Sequence, residues 1–147
     1  MKVIVLTGLV SIEKGQLAHQ LAGHFSASER VVLLNNSMAQ LSAPAERQIP
    51  VHALPDLASL VPTLHTLADQ TDCVIVALSE QAHPEQLFVA LDDLREQHDD
   101  WQVYSLALID TRTCDCFPHV REALELYADA SIMMPYQLSE VVAYVDG

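Results

Sequence analysis

Val3-Ile4-Val5-Leu6-Thr7-Gly8-Leu9-Val10-Ser11-Ile12-Glu13-Lys14-Gly15-Gln16-Leu17 runs from apolar, β-branched residues through a glycine to a lysine six positions later, where a helical pattern begins. Strand, turn and helix with that glycine-to-lysine distance match the spacing of a phosphate-binding loop, G-x-x-x-x-G-K-[ST]. Such a loop wraps phosphate oxygens in backbone N–H groups, sends its lysine to the outer phosphates and holds magnesium with its hydroxyl. Two positions depart from it. The second glycine is Glu13, which brings a negative charge and a Cβ where the backbone should approach the phosphates. The hydroxyl position is Gly15, followed by Gln16, and neither can ligate magnesium.

Further apolar runs recur at residues 30–35, 72–78, 104–110 and 130–134. Continuous runs of this length, after the first at 2–7, suit strands of a parallel sheet covered on both faces. Helical patterns separate them: Leu17, Leu21 and Phe25; Leu57, Leu60, Val61 and Leu64; Leu87, Leu91 and Leu94; Val120 and Leu124; and Leu138, Val141, Val142 and Val145. Alternation from end to end predicts an α/β three-layer sandwich around a mostly parallel sheet of about five strands. Residues 42–55, with three prolines and little periodicity, are expected to form a surface loop.

At 147 residues the chain is expected to form one domain, residues 1–147. No apolar run reaches the roughly 18 to 20 residues that span a bilayer, so no membrane role is expected. The opening run carries only Lys2 before it and has no small-residue cleavage site, which reads as a first strand and places the protein in the cytoplasm. A net charge of −13, with Lys2 and Lys14 the only lysines, leaves little to neutralise a phosphate backbone and excludes nucleic acid as a partner. Three cysteines in such a chain argue against a disulfide framework.

These segments together resemble a family, the CobW-type P-loop GTPases related to the HypB and UreG metallochaperones. That family opens with V-x-V-L-T-G-F-L-G-A-G-K-T-T-L, against which Val5-Leu6-Thr7-Gly8-Leu9, Lys14 and Leu17 fall in register. Its second strand ends in an asparagine, as residues 30–35 do at Asn35. Its third reads like F-D-x-V-V-I-E-T-S-G-L-A-x-P, and residues 71–84 keep Asp72, the strand, Ser79, Ala82 and Pro84. A fourth strand ending in V-D and a later A-D-x-I-V-L-N-K-x-D are similar to the segments at Ile109-Asp110 and Ala128-Asp129. The departures fall where the family's chemistry lies. The third-strand glutamate is Ala77, the glycine after the serine is Glu80, and the guanine-reading N-K-x-D is replaced by Met134-Pro135-Tyr136-Gln137. The C-x-C-C metal motif and the C-terminal domain of longer members have no counterpart in these residues.

The candidate residues follow. Gly8, Lys14, Gly15 and Gln16 form the degenerate phosphate loop. Lys14 stands at a helix N-terminus that favours anions, but Glu13 largely cancels that attraction, leaving the reading of an inherited, solvated lysine. Cys114, Cys116 and His119 place two thiols and an imidazole within six residues, a set able to hold zinc or copper, against a reading as incidental thiols. Cys73 reads as a core thiol, and the seven histidines as surface residues without metal-site spacing. Ser79 has no companion base at motif spacing, so no catalytic residue is assigned.

The resemblance and its erosion imply a pseudo-GTPase: a protein-interaction, regulatory or assembly module without GTP hydrolysis and without a required cofactor, whose partner is another protein or a second copy. The alternatives are a weak GTP- or ATP-binding protein or NTPase that keeps Lys14 and uses magnesium, and a small metallochaperone-like protein carrying zinc on Cys114, Cys116 and His119.

Overall fold

The computed structural model describes residues 1–9, 11–36, 49–79, 83–110 and 117–146. Among these residues six parallel strands form one sheet: β1 (Lys2–Thr7), β2 (Val31–Asn35), β3 (Val51–Ala53), β4 (Cys73–Ala77), β5 (Gln102–Ile109) and β6 (Ala130–Met133), in the spatial order β3-β2-β4-β1-β5-β6. The helices are α1 (Ser11–Phe25), α2 (Leu60–Leu67), α3 (Pro84–Gln97), α4 (Pro118–Tyr127) and α5 (Leu138–Asp146). This is the expected α/β sandwich with one strand more than expected. The addition, β3, lies within the stretch read as loop. Three residues between Pro50 and Pro55, two of them exposed, carry no periodicity to betray a strand.

Alternation on the inner strands divides the core. Ile4, Leu6, Leu33, Ile75, Leu106 and Leu108 face α1 and α5, which answer with Leu17, Leu21, Phe25, Val141 and Val145. Val3, Val5, Leu34, Val74 and Val76 face α2 and α3, which bring Leu60, Leu64, Leu87, Leu91 and Leu94. On β5, Ala107 and Ile109 pack with Leu124 of α4. Each fully buried Leu, Ile or Val here contributes roughly 1.5–3 kcal/mol of transfer free energy, so the three layers hold one another. At the amino end of the sheet Lys2 Nζ lies 3.4 Å from Glu29 and 3.3 Å from Asp146, tying the ends of α1 and α5 to β1.

β1 has β4 on one side and β5 on the other, so the turn after β1 opens at the carboxyl ends of three adjacent strands. Ligand sites of open α/β sheets gather there.

Candidate functional site

The chain leaves β1 at Gly8, whose φ of +130° is rarely adopted by L side chains. A Cβ at this position would lie 2.5 Å from the Leu108 carbonyl oxygen of β5, so the turn sits hard against the neighbouring strand. α1 begins at Ser11, and Lys14 falls in its first turn.

Lys14 is wholly buried. Its Nζ donates to the carbonyl oxygens of Gly8 and Leu78, each at 2.7 Å. Gly8 follows β1 and Leu78 follows β4, so one ammonium joins the loops at the ends of two adjacent strands; the backbone adds a bond from Leu78 N to Leu6 O at 3.1 Å. The expectation of a solvated lysine is therefore wrong. A buried ammonium is tolerable only when hydrogen bonds replace its water, and short charge-assisted bonds to turned-in carbonyls do so. Sequence spacing placed Lys14 at the helix start but gave no sign of Leu78, 64 residues away.

The rest of the degenerate loop offers less. Gly15 is buried and Gln16 exposed. Glu13 is half-buried, and its charge acts on Tyr136: burial, then Glu13, pushes that phenol above its ordinary range. Tyr136 Oη donates to Gln20 Oε1 of α1 at 2.5 Å. Tyr136 and Gln137, which stand where the family's base-reading motif would be, line a groove of about 330 Å³ between β6 and α5, with Met133, Glu140 and Tyr144. Neither Gly8 nor Lys14 lines that groove.

The other anchors are structural. Ala77 ends β4 fully buried, and Ser79 N–H donates to Asn36 Oδ1 at 3.0 Å while Asn36 Nδ2 donates to Leu54 O at 2.8 Å. Asn36 thus links the ends of β2 and β4 to the chain leaving β3. Asp129 Oδ2 accepts from Ser105 N at 2.7 Å and from Arg95 at 2.6 Å, which holds β5, α3 and the entry to β6 together. Cys114, Cys116 and Glu80 lie outside the described residues. His119 is exposed in the first turn of α4. Among the described residues no group of three or more histidine, cysteine, aspartate or glutamate side chains is placed to hold a metal.

One arrangement escaped sequence reasoning. His65 on α2 and His98 at the end of α3 face each other with their Nε2 atoms 2.9 Å apart. Their separation of 33 residues, on different helices, fits no motif.

No protein-family model matches the sequence, and no curated protein matches it. Solved structures match its shape. Zn(II)-bound YjiA GTPase from E. coli aligns with a TM-score of 0.62 at 13% identity, over 99% of this chain and 54% of that one. FlhF complexed with GMPPNP and Mg(2+) aligns with a TM-score of 0.58 at 14% identity, over 98% and 61%. The signal recognition particle receptor FtsY from Elizabethkingia anophelis, in complex with GDP, aligns with a TM-score of 0.56 at 19% identity, over 90% and 48%. This chain spans about half to three fifths of the length of these structures. The fold is that of the P-loop GTPases.

Proposed function

We propose that this chain is a degenerate, CobW-like P-loop domain that does not hydrolyse nucleotide and acts in the cytoplasm by protein contact, as a regulatory or assembly module for another protein or a second copy of itself. The observation that carries the reading is Lys14. Its ammonium is spent on the Gly8 and Leu78 carbonyls with no exposed surface, so the one cation of the phosphate loop stitches the fold together. Gly15 and Gln16 supply no magnesium hydroxyl beside it, and Met134-Pro135-Tyr136-Gln137 supplies no carboxylate to pair with a base.

A second reading, weak GTP or ATP binding with magnesium, draws on the preserved turn at Gly8 and on neighbours of this fold captured with GMPPNP and Mg(2+) and with GDP. Under it Lys14 would have to leave both carbonyls to meet a phosphate. A third, zinc carriage on Cys114, Cys116 and His119, draws on the residue types and on a zinc-bound neighbour of the fold.

Thermal unfolding with millimolar GTP or ATP plus magnesium separates the first two. Ligand at a hundredfold its Kd adds about 2.7 kcal/mol to the native state and raises the midpoint visibly. The proposal expects no shift. A shift present in the wild type and absent in Lys14→Met, each measured against its own ligand-free midpoint, would establish the nucleotide reading instead.

A further inference from the structure

His98 closes α3: its backbone N–H donates to Leu94 O at 3.0 Å, and the turn that follows brings Trp101 N to His98 O at 3.1 Å. That turn lays the Trp101 indole on the His98 imidazole, with centroids 3.9 Å apart and planes 7° from parallel. Trp101 itself packs against the core cluster that contains Leu64, Leu91 and Leu94. His98 is therefore clamped between its cap and an anchored indole. His65 comes in from the exposed side of α2, its ring centroid 5.0 Å from that of His98.

Two neutral imidazoles with facing Nε2 atoms share one proton: one ring donates N–H and the other accepts. If the donor ring shifts its proton to Nδ1 through solvent, two Nε2 lone pairs converge on one small volume, and no proton is lost overall. We propose that His65 and His98 form a binding site for a divalent transition cation, copper(II) above all.

The distance favours this class. Two nitrogens about 2.0 Å from a metal are separated by about 2.8 Å at a right angle and by about 3.3 Å at the tetrahedral angle. The observed 2.9 Å lies beside the first value, the spacing of adjacent ligands in the tetragonal sites of copper(II) and nickel(II). Imidazole suits both metals, and the general affinity order puts copper(II) highest. Since no third histidine, cysteine, aspartate or glutamate joins the pair among the described residues, water takes the remaining positions and the metal is exchangeable. The pinning of His98 keeps the ordering cost of binding small. This site uses none of the phosphate-loop residues Gly8, Lys14, Gly15 and Gln16.

Trp101 is the only tryptophan in the chain and touches one of the two ligands, so it reports on the site directly. The test is a titration of the full chain carrying Cys114→Ser and Cys116→Ser with copper(II) chloride at neutral pH, following Trp101 emission, repeated with nickel(II). The expected result is saturable quenching that reaches one metal per chain, is reversed by a chelator and comes at lower concentration for copper than for nickel. His65→Asn, an exposed position, should shift half-saturation about tenfold or more, with His98→Asn doing the same and His52→Asn on β3 leaving it unchanged. Quenching that never saturates, or an undisturbed half-saturation in His65→Asn, would overturn the site, whatever becomes of the His98 variant's folding.

Discussion

At Gly8 the backbone conformation and the 2.5 Å approach of any Cβ to the Leu108 oxygen act together, so Gly8→Ala is expected to lose about 3 kcal/mol in denaturant unfolding. Cys73 makes a different forecast. Burial, reinforced by Glu29, pushes its thiol up from 9.0 to about 12. Between about pH 9 and 12 the unfolded chain releases this proton while the folded chain keeps it, so the Cys73 contribution to stability is complete below 9 and falls away as pH rises through that window. With Cys114 and Cys116 replaced by serine, iodoacetamide at pH 8 should leave the native protein unmodified and label Cys73 only after urea is added. The glycine and the cysteine were legible from sequence, one from motif spacing and the other from its place in an apolar strand. The burial of Lys14 was not, because a lysine is almost never fully buried unless its charge is met, and one of the two oxygens that meet it, that of Leu78, lies beyond the next three strands.

Among the elements, the join of α3, β5 and β6 depends on one carboxylate. Arg95 donates to Asp129 at 2.6 Å and to Val103 O at 3.0 Å, and Asp129 also takes the Ser105 N–H. Asp129→Ala leaves that N–H without its acceptor and the guanidinium with only the Val103 oxygen, and is expected to lower unfolding free energy by about 2 kcal/mol, with Asp129→Asn recovering part of it. The five longer strands were legible because their apolar runs are continuous, and α1 to α5 because their stripes repeat at helical spacing. β3 was hidden: it pairs only through residues 51–53, and what makes it a strand is the exposed edge of β2, a fact of tertiary structure. The His65–His98 pair was hidden for the same reason, since α2 and α3 meet only once both have packed on the sheet.

For the molecule as a whole, 20 acidic residues against seven basic ones give a self-repelling surface. Raising sodium chloride from about 10 mM to about 150 mM shortens the screening length from roughly 30 Å to roughly 8 Å, and the thermal midpoint is expected to rise by a few degrees, where a protein of balanced charge would hardly respond. Among the described residues no helix is long and apolar enough to cross a membrane. The strand order has a consequence for how the chain assembles. β1 is made first yet stands in the middle, and it pairs with Cys73–Ala77 on one flank and Gln102–Ala107 on the other. On a ribosome its apolar edges must wait for about 70 residues of later chain, several seconds at ordinary synthesis rates, before either neighbour exists. Until then the nascent chain is open to unwanted association through the same stretch that ends as the best-protected strand of the sheet.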